Sequence, residues 1–330
     1  MFFVMLMLWT AMAESTTYLQ WAAAKEVTPH PEQDYHFLAD LHARIAPLVE
    51  ARPGVVAPFV AGRTVQNRPI WGFRITDPGT PVEKSALIFA GIHALEWIGV
   101  EAAILLLEDL IEYPVPGVSV VVVPVLNVDR RLAVEADLRR GDRKFRRSNA
   151  NGVDLNRDFA VHRESTAIWR HVLPRRYTTS PAPLSQPESQ TIDALAAEGF
   201  DVAVSLHSFG GYLYYPWAGH FSRPADWEEF LRLGRIMQDA QGRRPYRVQQ
   251  LSHWGFFFRA LGAEIDHLYG EYGTLAFLFE MSRTGIEPLH PDTWFDPFRR
   301  YNPRDPQHHA RQGFHAMHAL IWELNYQLWQ

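Results

Sequence analysis

Short, nearly continuous apolar runs recur along the chain, and each delivers a polar residue at its carboxyl end. Ala86 to Ala90 closes at Gly91 and leads into His93-Ala94-Leu95-Glu96. Val118 to Leu126 ends in Asn127, Val202 to Leu206 in His207, and Leu275 to Phe279 in Glu280. Runs of this length without alternation predict strands buried on both faces, as in a parallel sheet covered by helices. Helical spacing lies between them. Leu38, Leu41, Ile45 and Leu48 share one face over Tyr35 to Glu50, Val100 to Ile111 is helix-like, and Gly313 to Leu328 reads as an amphipathic C-terminal helix. Val55 to Val60 and Ile70 to Ile75 predict a hairpin around Gln66-Asn67. Ser185-Gln186-Pro187-Glu188 has the form of a capping box, with Gly199 closing the helix it opens. The alternation predicts an α/β fold: a single domain with a mixed, mostly parallel central sheet flanked by helices.

In open sheets of this kind ligands bind outside the carboxyl ends of the strands, so these polar run-ends converge on one site although they are far apart in sequence. His93, Glu96 and His207 then form a set of two imidazoles and one carboxylate, which suits a zinc ion with one position left open. An open position on zinc usually means catalysis. A His-x-x-Glu spacing alone would be weak evidence in a chain with 15 histidines. Its place at a strand end gives it weight.

Further short motifs follow in a fixed order. Gly62-Arg63 precedes Asn67-Arg68-Pro69-Ile70, Gly91-Ile92-His93 precedes Glu96-Trp97-Ile98, and Val125-Leu126-Asn127 stands with Asp129. Phe145-Arg146, Gly152-Val153-Asp154-Leu155-Asn156-Arg157, Ser185 to Glu188, Leu206-His207-Ser208, Ile265-Asp266 and Phe279-Glu280 complete the series. In this order the chain resembles the zinc carboxypeptidases of the carboxypeptidase A type, over roughly Tyr35 to the C-terminus.

The resemblance implies a zinc-dependent peptide hydrolase that acts on the C-termini of peptides or proteins, with one zinc ion held by His93, Glu96 and His207. It assigns Glu280, fourteen residues after Asp266, as the general base. Arg146 takes the place of the arginine that stabilises the oxyanion, with Arg147 as its confusable neighbour. Asn156 and Arg157 match the pair that recognises the substrate's terminal carboxylate, a task suited to the planar guanidinium fork. Phe258 falls where the family has a mobile tyrosine, so a hydroxyl is lost there. Leu95 stands where many relatives carry arginine, and Phe209 replaces a usual tyrosine. Ile265 occupies the base of the specificity pocket; with Leu278 and Ala260 it implies an apolar or aromatic C-terminal residue, which Glu264 would reverse if the register slipped by one.

Composition bounds the remaining options. With 330 residues, 47% hydrophobic, the chain can bury one large core. A net charge of −5 argues against nucleic-acid binding. The basic cluster Arg139 to Arg147 is, Arg146 apart, a solvated loop by default. There is no cysteine, so nitrogen and oxygen must hold the metal. Phe2 to Trp9 is apolar but too short to span a bilayer. With Ala11-Met12-Ala13 it reads as a short or truncated signal over residues 1–13, which favours a secreted or periplasmic protein over a cytoplasmic one. Residues 14–33, with Pro29 and Pro31 and no clear period, read as a linker or arm ahead of a catalytic domain over 34–330. His290 to His309 reads as a surface loop. Two alternatives stay open: a zinc amidohydrolase of the same fold acting on cell-wall peptides or N-acyl amino acids, and a catalytically silent peptide-binding relative.

Overall fold

The computed structural model of the chain describes residues 2–32, 34–173, 178–255, 257–283 and 291–328. Its strands are β1 Val56–Arg63, β2 Pro69–Ile75, β3 Lys84–Ala90, β4 Val118–Val123, β5 Val202–Ser208, β6 Tyr212–Tyr215, β7 Arg247–Gln250 and β8 Leu275–Met281. Helices α1 Phe2–Ala23, α2 Leu38–Ala51, α3 Ile98–Glu112 and α4 Val128–Arg140 belong to the first half of the chain. The second half holds α5 Trp169–Val172, α6 Pro187–Ala196, α7 Trp227–Asp239, α8 Glu264–Tyr272, α9 Asp292–Phe295, α10 Pro297–Tyr301 and α11 Pro306–Gln327.

The strands form one mixed sheet in the order β1-β2-β4-β3-β5-β8-β6-β7. Its centre, β4-β3-β5-β8, is parallel throughout. Every residue of β4 and β5 is buried, which is why their sequences run apolar without alternating. The antiparallel β1–β2 hairpin lies at one edge, as its spacing predicts, with Asn67 in the left-handed region (φ 60°) at the turn. Around β3 the order reverses: β4 lies on one side and β5 on the other. That reversal opens the crevice where α/β sheets bind ligands.

Close helix packing fixes the crevice. At Gly99, near the start of α3, a Cβ would fall 2.8 Å from Leu206 Cβ, so the helix that follows Glu96 presses on the strand that carries His207. Gly313 lets α11 approach in the same way, where a Cβ would meet Met281 Cε at 2.6 Å.

Three local expectations need correction. Residues 14–23 do not form an irregular arm: they continue α1, and Tyr18 is fully buried with its ring edge-on to Trp71 and Phe73 at 5.0 and 5.1 Å. The stripe Tyr18, Trp21, Ala22 is too short to register as a period, and tertiary packing supplies the rest. The capping box does not form. Gln186 is the cap of α6, Ser185 Oγ donates to Asp158 Oδ1 at 2.6 Å, and Glu188 accepts from Val65 N–H and from Asn149. Competing partners outside the helix take both side chains. Within the stretch 290–309, the described part is helical rather than loop: α9, α10 and the first turn of α11, where His309 Nδ1 meets the Tyr246 hydroxyl at 2.6 Å.

Candidate metal centre and active site

The end of β3 is knitted to the segment after β4. Leu126 N–H donates to Ala90 O and Asn127 N–H to Gly91 O, both at 3.0 Å. Gly91 turns the chain at φ +67°, where a Cβ would lie 3.3 Å from Val125 Cα. The buried Asn127 amide donates to Ile92 O and Ser148 O, tying the ligand loop to the arginine-bearing segment. From the far end of the chain, Asn302 Oδ1 accepts from Trp97 N–H at 2.8 Å and its Nδ2 donates to Leu95 O at 2.7 Å. The loop carrying His93 and Glu96 is thus held from three directions.

His93, Glu96 and His207 meet there, all buried, with a ligand atom of each within 4.8 Å of the others. His93 Nδ1 lies 3.0 Å from Glu96 Oε1, His207 Nδ1 lies 3.0 Å from Glu96 Oε2, and the two Nδ1 atoms are 3.1 Å apart. A tetrahedral zinc with bonds near 2.0–2.1 Å has ligand–ligand edges of roughly 3.3 Å, so the donor set and its spacing fit that ion. Both imidazoles turn their other nitrogen to a carboxylate: His93 Nε2 to Asp154 Oδ1 at 3.0 Å, and His207 Nε2 to Glu264 Oε1 at 2.8 Å. Burial alone would lower the His207 pKa, but the hydrogen bonds and charges of Glu264 and Glu96 outweigh it and push it up to about 10.

Glu280 arrives from β8, in register beside His207 of β5. Its Oε2 is shut off from solvent without a hydrogen-bond partner among the described residues, although the side chain keeps a partly exposed edge. Burial first, and then the nearby Glu96 charge, push its pKa up to about 8.

The two adjacent arginines take different directions. Arg146 points away from the ligands and binds Asp137 of α4. Arg147 faces inward, donating from Nη1 to Glu96 Oε1 at 3.2 Å and from Nε to Asp154 Oδ2 at 2.8 Å. Side chains on an extended segment alternate in direction, so only one of two adjacent arginines can face the metal centre. Two residues on, Asn149 anchors the segment on Gln186 and Glu188.

Arg157 and Phe258 line a cavity of about 490 Å³ with Val153, Ser180 and Asp154, the last of which binds His93. Asn156 adjoins it, buried, with its N–H on Asp154 Oδ1 and its Oδ1 accepting from Glu264 N–H at 3.2 Å. Burial lowers the Arg157 pKa, yet the group stays cationic throughout the physiological range. Ile265, in α8, does not line this cavity and is fully buried; Ala260 and Leu278 are buried as well and do not line it either. Asp266 holds the Ala218 and Gly219 N–H groups and His162.

Of the residues around the cluster, Asp154 had no assigned part in the sequence-based expectations, Arg147 stood there only as the neighbour of Arg146, and Glu264 only as an alternative specificity residue. Asp154 and Arg147 sit inside or beside quoted motifs, so their presence was visible but their contacts were not. Nothing in the sequence pairs Glu264 with His207, 57 positions away.

The arrangement defines a class: an α/β protein with a two-histidine, one-carboxylate metal centre at the carboxyl ends of its central strands. Residues 41–304 match the family model for zinc carboxypeptidases, peptidase family M14. The chain therefore belongs to the zinc carboxypeptidase family. It is 27% identical over 279 residues to zinc carboxypeptidase A 1 of Drosophila melanogaster, covering 78% of this chain and 64% of that one. It is 25% identical over 225 residues to carboxypeptidase O of Bos taurus, covering 62% and 59%. The chain thus spans less than two thirds of the length of these relatives. Among solved structures, carboxypeptidase A from Helicoverpa armigera superposes with a TM-score of 0.68 at 20% identity, covering 96% of this chain and 79% of that one. Bovine thrombin-activatable fibrinolysis inhibitor, solved with tick carboxypeptidase inhibitor, gives 0.67 at 20% identity, covering 89% and 98%. Among the described residues no helix is long and apolar enough to cross a membrane.

Proposed function

We propose that this protein is a zinc-dependent carboxypeptidase that hydrolyses the C-terminal bond of peptides and proteins. The observation that carries the reading is the placement of Glu280 beside the His93–Glu96–His207 cluster, with Arg157 lining the adjoining cavity. Zinc, when bound by those three residues, supplies Lewis acidity that polarises the scissile carbonyl and acidifies water.

The chain's own groups supply the rest. Asn156 and Arg157 bind the substrate's terminal carboxylate, which sets the reading frame one residue from the end. Glu280 takes a proton from the attacking water and delivers it to the leaving amide nitrogen, a double role suited to a carboxyl whose proton affinity is raised by a dry site. Arg147, rather than Arg146, stabilises the negative oxygen of the tetrahedral intermediate, because it alone of the pair lies on the ligands. Phe258 covers the cavity and excludes water without donating to the carboxylate. The apolar or aromatic C-terminal preference rests on the resemblance at Ile265, with Leu278 and Ala260, and not on the cavity that Arg157 lines, which none of the three enters.

The carboxylate clamp favours this reading over a same-fold enzyme cutting other amides, which would have no use for it, and the intact cluster favours it over a silent binding protein. We further infer export to the periplasm or outside the cell, from the apolar N-terminal block. A matched pair of peptides ending in free or amidated phenylalanine tests the exopeptidase assignment. Cleavage of the free acid alone is expected; equal cleavage of both would remove the role given to Arg157.

A further inference from the structure

His207 can ligate through Nδ1 only if its remaining proton sits on Nε2, and that N–H then needs an acceptor in a site closed to water. Glu264 supplies one: Oε1 lies 2.8 Å from Nε2, and Ser205 Oγ lies 2.9 Å away on the same nitrogen. We propose that Glu264 is a positioning residue that fixes the tautomer and ring orientation of His207 and thereby sets the strength of the metal centre. The inference deepens the zinc carboxypeptidase reading and rests on it.

The burial of Glu264 is the first argument. Its residue is 0% exposed, and a carboxylate in such a place is costly unless a charged or polar partner offsets the loss of water. Its other oxygen, Oε2, has no hydrogen-bond partner among the described residues. Among the described residues no arginine, lysine or backbone N–H hydrogen-bonds the carboxyl; its side-chain partner is the ligand histidine.

Symmetry about the centre is the second. His93 has the same arrangement, with Nδ1 turned to the cluster and Nε2 on Asp154 Oδ1 at 3.0 Å. Each imidazole therefore has its own carboxylate, delivered by a different part of the fold: Asp154 from the turn before Asn156, Glu264 from the first residue of α8. The backbone of Glu264 is itself fixed, since its N–H donates to Asn156 Oδ1. The second carboxylate thus links the metal centre to the residue pair that would hold the substrate's end.

A competing role for the same residue is distinguishable. A buried acid near the substrate cavity could select a cationic C-terminal side chain, with the orphan Oε2 as its receptor. The engagement of Oε1 by His207 favours positioning.

The test compares wild type, Glu264→Gln and Glu264→Ala. Zinc dissociation constants are measured by competition with a chelator, visible spectra are recorded for the cobalt-substituted forms, and hydrolysis of blocked dipeptides ending in Phe and in Arg is followed. Glu264→Ala is expected to weaken zinc binding by about ten- to a hundredfold and to shift the cobalt spectrum. Glu264→Gln keeps an acceptor at the same distance, so it is expected to recover most of the affinity while still shifting the cobalt spectrum; if the alanine variant does not fold, that shift carries the test, and an unchanged spectrum overturns the inference. Unchanged zinc affinity in both variants overturns the inference. So does a selective loss of turnover on the Arg substrate with zinc affinity intact, which would make Glu264 a specificity residue. A wild-type protein that binds no zinc would overturn the carboxypeptidase reading along with it.

Discussion

His207 and Glu280 are register partners in the parallel pair β5–β8, so two adjacent strands bring a metal-ligating imidazole and the proposed base to one level of the sheet. The distance between them in sequence is large; the sheet makes them neighbours. Glu280→Gln keeps the shape of the side chain but cannot take up a proton. Hydrolysis is expected to fall by at least about a hundredfold while zinc binding is retained, measured as kcat/KM beside a zinc stoichiometry.

The same substitution has a stability signature. The Glu280 pKa is raised to about 8 by burial and by Glu96, above its unfolded value near 4.5. A group raised in this way contributes stability that is complete below the unfolded value and is lost as pH rises through the folded one. Zinc-free Glu280→Gln is therefore expected to melt above zinc-free wild type at a pH of about 8 or higher, with the gap narrowing as the pH falls towards about 4.5. Thermal melts of both proteins across that window check the sign; a gap that widens on acidification contradicts it.

The two adjacent arginines should separate cleanly. Arg147→Gln removes the donor on Glu96 and Asp154 and is expected to lower kcat/KM by about a hundred- to a thousandfold. Arg146→Gln loses only its pair with Asp137, partly exposed, and is expected to leave kcat/KM within about threefold of wild type. Steady-state kinetics on one blocked dipeptide decide it. The reverse pattern would restore the assignment made from sequence.

Phe258 offers a gain rather than a loss. It lines the cavity with Arg157, and a tyrosine there would add a donor beside the bound carboxylate. Phe258→Tyr is expected to lower KM for blocked dipeptides about five- to tenfold with little change in kcat. An unchanged KM would mean that the ring does not reach the substrate.

The N-terminal helix is expected to be part of the folded unit. Tyr18→Ala empties a fully buried site against Trp71 and Phe73 and should cost about 3 kcal/mol or more of unfolding free energy, read from denaturant titration. A change below about 0.5 kcal/mol would show that α1 packs independently of the rest.

Much of the fold was legible because its central strands are buried on both faces and so write themselves as unbroken apolar runs. The metal cluster was legible for the same reason: His93 and His207 follow such runs directly. Arg147 was not, because its segment has no period and its neighbour carries the same charge; only the pairing of Arg146 with Asp137 decides the direction. Glu264 was hidden because a partner on the facing element, not anything near it in sequence, explains its burial. Residues 14–23 were misread because three inward side chains make a stripe too short to stand out against polar neighbours.

The most direct measurement is release of C-terminal phenylalanine from a blocked dipeptide by zinc-loaded protein, run beside the chelated protein and Glu280→Gln. Release that both controls abolish is the expected result. No release from zinc-loaded wild type, or release that persists in either control, would contradict the account.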